Sequence, residues 1–203
     1  MRLKINISII MNVLLTLCLI ALTVFSIHQY KLQTSYKDYL SQNLSYDIIT
    51  LAQAIESNNK LYEQLLQTDT STSDIRIGLN VLYNNYRSIA SIAGTYSSMY
   101  NQFQDFNESA SLDIENLSSS TVKMRDFLQD VMKKNSLIDS KIKTVLEKEY
   151  ASNSKWLQVI EQSELFSVKE NGEISFNKDE NLSINDLTWV NFFKELEANT
   201  SNS

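Results

Sequence analysis

The sequence predicts a mainly α-helical protein. An N-terminal transmembrane helix is followed by an extracytoplasmic antiparallel helical bundle, four-helix-like, with a small C-terminal β-hairpin plus helix. Three observations predict this class. Residues 5–27 are almost wholly apolar and carry no charge. The 203-residue chain contains no proline and only three glycines, so little interrupts a helix. Apolar residues also recur every three or four positions along much of the chain, which is the period of one helix face.

The N-terminal apolar segment has the length of a membrane span. Its densest part, residues 9–27, would extend roughly 29 Å as an α-helix, close to the ~30 Å hydrocarbon core of a bilayer. A helix is expected because lipid offers the backbone no outside hydrogen-bond partner. The only cysteine, Cys18, lies inside this segment as a small membrane hydrophobe. We therefore expect residues 5–27 to contact the lipid bilayer as a transmembrane signal anchor.

Two fates are open to this segment, retention as an anchor or removal as a signal peptide. Its apolar run is longer than the roughly 7–15 residues of a signal-peptide core, which favours retention. Residues 24–26 (Val-Phe-Ser) nevertheless offer a weak cleavage site.

Basic residues set the expected orientation. Arg2 and Lys4 precede the apolar segment, so the positive-inside rule predicts a cytoplasmic tail of residues 1–4 and places the C-terminal domain outside. Lys31 and Lys37, beyond the far end, weaken this bias without reversing it. The composition looks bacterial, so the predicted location is the plasma membrane (bacterial inner or cell membrane), with a single pass.

The external part divides into a bundle over residues 28–163 and a hairpin with an amphipathic helix over residues 164–203. It holds all 24 acidic residues and all but two of the 18 Lys and Arg residues, so its net charge is −8. Nucleic acid and anionic lipid headgroups both require a basic surface, and neither is expected as a partner.

The first external helix should continue directly from the membrane span, because residues 28–39 contain no Gly, Pro or turn cluster. Its apolar seam includes Asn58, which either fixes the register of packing or lies at a solvated point. The seam consists of Leu40, Leu44, Ile48, Leu51, Ile55, Asn58, Tyr62 and Leu65.

The second helix carries the clearest pattern, with 4-3-4-3 spacing over residues 75–103. Asp74 and the polar residues 69–73 supply N-cap candidates at its start. Its face opposite the seam is neutral and rich in Asn and Ser. The seam consists of Ile75, Leu79, Leu82, Tyr86, Ile89, Ala93, Tyr96, Tyr100 and Phe103.

From Ala110 the apolar spacing stays in phase through residues 133–136 (Lys-Lys-Asn-Ser), which leaves two interpretations. A turn there would suit the two lysines at a helix C-terminus, and Ser136 with Asp139 would resemble a capping box for the next helix. Alternatively, the helix continues unbroken to about Tyr150. We favour the turn because four helices of similar length can close a core.

Residues 166–176 alternate about an Asn-Gly pair, which predicts a β-hairpin. A two-residue loop would place the apolar residues of the two strands on opposite faces. A three-residue loop ending at Gly172 would instead pair Phe166 with Phe176 and Val168 with Ile174, on one face. We expect this second register because it places four apolar residues on one face.

A last helix follows, with Ser183 and Asp186 resembling a capping box. Membrane-surface helices are rich in Lys and Arg, whereas this segment is acidic. We therefore expect it to dock on the hairpin or the bundle end and not on the membrane. Its apolar stripe consists of Trp189, Val190, Phe193 and Leu196.

The sequence lacks the residues that most catalytic mechanisms require. The one histidine, His28, lies at the membrane edge, so a zinc site of several His or Cys ligands, and His- or Cys-based catalysis, are excluded outside the membrane. We also find no Gly-rich phosphate loop and no EF-hand loop. Tyr86, Tyr96 and Tyr100 fall on a core seam, where packing is their expected role. The sequence predicts no catalytic, cofactor-binding or metal-binding residue and no enzyme.

The layout of residues 1–160, a short basic tail, a signal anchor and a long Tyr- and Asn-rich helical hairpin, resembles the sensing half of bacterial chemoreceptors and histidine kinases. It contains no diagnostic motif of theirs, no second span and no cytoplasmic output. The resemblance implies a binding or interaction module that passes a signal sideways to another membrane or envelope protein. The alternative is a membrane-anchored coiled-coil oligomer, formed by self-association, that serves as a cell-envelope scaffold or spacer.

Overall fold

A computed structural model of the chain describes residues 7–67, 72–102, 112–134, 138–170, 174–177, 182, 184 and 187–200. These residues form five α-helices and one two-stranded antiparallel sheet, so the mainly helical class is confirmed. In chain order the elements are α1 (Ile7–Leu66), α2 (Thr72–Gln102), α3 (Glu115–Lys134), α4 (Ser140–Gln162), β1 (Phe166–Val168), β2 (Ile174–Phe176) and α5 (Thr188–Ala198).

The longest element, α1, is an unbroken helix of 60 residues, roughly 90 Å at ~1.5 Å rise per residue. It is the one helix in the described ranges that is long and apolar enough to cross a membrane. Side chains at positions 11–36 are exposed, Leu40 is half-buried, and full burial begins at Leu44. The absence of Gly and Pro explains its continuity, and the prediction that the external helix continues from the apolar segment is confirmed.

The core forms around the C-terminal half of α1, which packs against both α2 and α4, while α3 packs on α2. The course of α2 is antiparallel to α1. Tyr62, near the end of α1, hydrogen-bonds Tyr86, whereas the earlier Asp47 accepts a hydrogen bond from the later Tyr96.

The predicted seams supply most of this core. Every seam position from Leu44 to Leu65 on α1 is buried, and so is every one from Leu79 to Tyr96 on α2. Phe103 lies outside the described residues. On and just before α3 the buried residues include Ile114, Leu117, Thr121, Met124, Leu128 and Val131. The 3.6-residue period therefore identified the buried faces correctly.

A break separates α3 from α4, so the alternative of one unbroken helix is wrong. α3 ends with Lys133 and Lys134 in its last turn. The cap of α4 lies three residues later than predicted: Asp139 is the N-cap, and its Oδ1 accepts a hydrogen bond of 2.8 Å from the Ile142 amide. Ser136 lies outside the described residues. Asp caps a helix as well as Ser does, and its charge also suits the helix N-terminus.

The hairpin has the predicted register. Phe166 pairs with Phe176 and Val168 with Ile174, and the rings of the two phenylalanines lie edge to face at 5.7 Å between centroids. The loop residues 171–173 lie outside the described part.

The C-terminal helix, α5, begins at Thr188 with Leu187 at the N-cap and no side-chain cap hydrogen bond. The N-cap predicted at Ser183, in a capping box with Asp186, is therefore wrong, because the helix has its N-cap four residues later, at Leu187. Both residues lie outside the described ranges.

Docking of α5 agrees with the sequence prediction, and every residue of its predicted stripe is buried. Its aromatic side chains contact both the hairpin and α2. Phe192 lies 5.8 Å from Phe166 of the hairpin, and Trp189 lies 5.8 Å from Tyr96 of α2, between ring centroids. This aromatic cluster joins the C-terminal part to the helices.

Replacing Leu82 or Ile89 with Ala should lower the free energy of unfolding by about 2–5 kcal/mol, the usual cost of emptying a large buried aliphatic site. Both side chains are fully buried on α2. Asn84→Ala and Ser91→Ala, at exposed positions of the same helix, serve as controls and should change stability much less. Urea unfolding of the purified chain in detergent measures the difference. Equal losses at the two pairs would contradict the assigned core face.

Candidate functional site: a polar layer in the helical core

Several polar side chains lie together within the apolar core, and we call this group the polar layer. Two pairs in it are four residues apart on their helices and therefore share a helix face. The layer comprises the buried residues Asn58 and Tyr62 of α1, Tyr86 of α2, and Glu149 and Asn153 of α4.

Two tyrosines form the hydroxyl pair of the layer. The Tyr62 and Tyr86 hydroxyl oxygens lie 2.8 Å apart, and both side chains are fully buried. Burial raises the pKa of each phenol well above its ordinary value, because the phenolate would lose its hydration, and the nearby Glu149 carboxylate acts in the same direction. Both tyrosines are therefore neutral at physiological pH and cannot act as bases.

An amide pair joins α1 to α2. The Asn85 Nδ2 donates to Asn58 Oδ1 at 2.8 Å and to Ser57 Oγ at 3.2 Å. The Asn58 Nδ2, although buried, has no hydrogen-bond partner. Asn58 is therefore half-satisfied, and its free N–H groups are a donor inside the core.

A second amide joins α4 to α1. The Asn153 Nδ2 donates to the Ile55 carbonyl oxygen at 2.9 Å and lies 3.4 Å from Asn59 Oδ1. Ser154 Oγ donates to that same Asn59 oxygen at 2.9 Å. The Asn153 Oδ1 has no partner, so this side chain presents an acceptor to the core.

Glu149 is the carboxylic acid of the layer. Only 9 % of its surface is exposed, and its Oε2 has no hydrogen-bond partner. Burial raises the pKa of the carboxyl, and the neighbouring Lys148 opposes that shift more weakly. Glu149 therefore holds its proton to a higher pH than an exposed glutamate does.

At the edge of the polar layer, Tyr150 of α4 contacts the end of α1. Its hydroxyl donates to Glu63 Oε1 at 2.9 Å, and its ring centroid lies 6.1 Å from that of Tyr62. The hydrogen bond to Glu63 raises the pKa of the Tyr150 phenol, because losing the proton would bring two negative charges together.

The buried side-chain atoms that lack a partner within the described ranges are Asn58 Nδ2, Glu149 Oε2 and Asn153 Oδ1, and all three belong to the polar layer. An unsatisfied buried polar group costs about 1–3 kcal/mol, so each such group in a folded protein requires an explanation. The layer offers one donor and two acceptors. It can exchange hydrogen bonds or a proton, and no group of three His, Cys, Asp or Glu side chains that could hold a metal ion occurs in the described residues.

Sequence reasoning named no site residue and gave Glu149 no role. A signal was nevertheless present further along α4. Ile142, Leu146, Glu149, Asn153, Trp156 and Ile160 follow 4-3-4-3-4 spacing, and all six are buried. Extending the apolar spacing along α4 would have placed a carboxyl and an amide in the core.

A scan against protein-family models finds no match to the chain. Searches of curated proteins and of solved structures likewise find no significant similarity. The function is therefore inferred from the chemistry and placement of the chain's own residues.

Replacing Tyr86 with Phe should lower the free energy of unfolding by about 1–3 kcal/mol, because the Tyr62 hydroxyl loses its buried partner. Tyr62→Phe should act similarly. The double variant should cost less than the sum of the two, because it leaves no unpaired hydroxyl. Tyr46→Phe, at a tyrosine that is 70 % exposed, is the control for loss of a hydroxyl alone. Additive costs in a double-mutant cycle would show that the two hydroxyls are not coupled.

Proposed function

We propose that the chain is a single-pass protein of the bacterial plasma membrane. Its helices outside the bilayer form an extracytoplasmic four-helix-like bundle that acts as a sensor-like binding or interaction module, without catalysis. One observation carries this proposal. The helix α1 joins the apolar segment to the polar layer without a break, so Asn58 and Tyr62 belong to the same rod as the proposed span. A rearrangement in the layer would act directly on the membrane helix.

The two threonine hydroxyls of the apolar segment are compatible with a membrane span. Thr16 Oγ1 donates to the Asn12 carbonyl oxygen and Thr23 Oγ1 to that of Leu19, each at 2.8 Å. Hydroxyls bonded to their own helix leave no unsatisfied donor facing lipid. The basic residues before the span favour the proposed orientation.

Support for a closed module over an extended rod comes from the contacts between helices. Both α2 and α4 pack on α1, and the chain breaks between α3 and α4. An unbroken α3–α4 helix was the feature that would have suited the coiled-coil scaffold. The core seams are filled by helices of the same chain instead.

The partner that we propose is another membrane or envelope protein, which would contact this chain laterally. Between the apolar segment and the core, α1 presents large exposed side chains: Tyr30, Leu32, Tyr36 and Tyr39 are each more than half exposed. Aromatic residues are enriched at protein interfaces and at membrane interfaces. A lateral contact here would receive any displacement of α1.

Topology tests the proposal most simply, because the chain has a single cysteine. In a Cys18→Ser background, Lys155→Cys lies on the exposed face of α4 and should react with a membrane-impermeant maleimide on intact cells. Leu3→Cys, in the proposed cytoplasmic tail, keeps both basic residues, so it is the matched control and should react only after lysis. The reverse pattern would contradict the orientation, and a mature chain beginning near residue 27 would contradict the anchor.

A further inference from the structure

We propose that Glu149 and Asn153 form a buried proton-binding site, in which the protonated Glu149 carboxyl donates its O–H to Asn153 Oδ1. Loss of this proton loosens the contact between α4 and α1. The ligand of the site is the proton. The consequence that the module responds to the pH outside the membrane rests on the function proposed above, whereas the proton site itself does not.

The assignment rests on two buried oxygen atoms that have no hydrogen-bond partner. Glu149 Oε2 and Asn153 Oδ1 are both buried and both without a partner. They lie four residues apart on α4, where side chains are neighbours. Two acceptors cannot satisfy each other, but one hydrogen placed between them satisfies both. Of the two groups, only the carboxyl can gain that hydrogen by binding a proton.

The surroundings of Glu149 favour the neutral acid. From α1 and α2 the groups that bear on it are the Tyr62 and Tyr86 phenols, which are neutral and already bonded to each other. On α4 itself the charged neighbour is Lys148, an exposed residue whose effect is weaker than that of burial. Glu149 forms no salt bridge in the described part. An ionised carboxylate would therefore be a buried charge without a paired cation, which is costly.

Deprotonation has a defined consequence for the helices. The proton leaves to solvent, and the carboxylate then requires a donor. In this proposal the Asn153 amide turns so that its N–H groups face Glu149, which breaks the 2.9 Å bond to the Ile55 carbonyl oxygen. That bond ties α4 to α1, the helix that continues into the apolar segment. Loss of the proton therefore weakens a contact made by α1 itself.

The direction of the pH effect follows from linkage. The pKa of Glu149 is raised in the folded chain, so the folded state holds the proton more tightly than the unfolded state. The resulting stabilisation is complete below the unfolded-state pKa of about 4.3 and is lost as pH rises through the folded-state pKa. Carboxyls with lowered pKa values would show the opposite trend.

The test uses the full chain in detergent and compares Glu149→Gln with Glu147→Gln, which removes an exposed carboxyl. The amide introduced by Glu149→Gln retains a donor for Asn153 Oδ1 and cannot ionise. Thermal unfolding measured from about pH 4 upward should show a loss of stability in the parent that Glu149→Gln abolishes and Glu147→Gln leaves in place. Identical pH profiles for the three proteins would overturn the proposal.

Infrared difference spectra provide a second readout that does not depend on unfolding. A carboxylic-acid C=O band should persist to higher pH than those of exposed carboxyls, and Glu149→Gln alone should remove it. Asn153→Ala takes away the acceptor and should shift the loss of this band to lower pH. A band that titrates with the exposed carboxyls, or one that Asn153→Ala does not move, would refute the shared proton. Reversed maleimide labelling would contradict the proposed function and leave the proton site standing.

Discussion

The continuity of α1 is the constraint on which the rest of the structure depends. In hydrocarbon, a backbone must satisfy its own hydrogen bonds, so the apolar segment is stable there only as a helix. Nothing in the following residues stops that helix, because neither Gly nor Pro occurs before Leu66. The same element therefore becomes the central helix of the core, and α2 and α4 assemble on its C-terminal half.

The polar layer is best understood as a departure from maximum stability. Well-packed apolar residues at these positions would often be as stable or more so, because burying polar and charged groups costs hydration. Asn58, Glu149 and Asn153 nevertheless each leave one atom unsatisfied in the same layer. A partly satisfied network makes the contacts between α1, α2 and α4 sensitive to a hydrogen or a proton. Such sensitivity is useful in a module that must change state and is a liability in a passive spacer.

Much of the fold could be predicted because its burial follows simple periods. The 4-3 spacing identified the core faces of α1 and α2, and alternation about Gly172 identified the strand pairing. The first residues of the helices were harder to predict. Asp139 is the N-cap of α4, where Ser136 was expected. The N-cap of α5 is Leu187, which forms no side-chain cap hydrogen bond. Several Asn, Ser and Asp residues compete as caps in such segments, and tertiary packing decides among them.

The candidate site could not be predicted to the same extent. Asn58 stood out as a polar residue within an apolar seam, but a single-sequence pattern cannot show which atoms of a buried amide find partners. Burial of Glu149 is hard to predict because charged residues are almost never buried without a partner. Only the three-dimensional arrangement brings its carboxyl beside the Tyr62–Tyr86 pair.

The central claim is that one rigid helix connects the apolar segment to the core. Its most direct test is a spin-label distance between the native Cys18, which is exposed on α1, and Gln53→Cys, at an exposed position of the same helix. Dilution with unlabelled chain in lipid nanodiscs removes distances between copies. A continuous helix predicts one narrow distribution near about 53 Å, from a rise of ~1.5 Å per residue. A broad distribution centred well below that distance would show that α1 is broken between the apolar segment and the core.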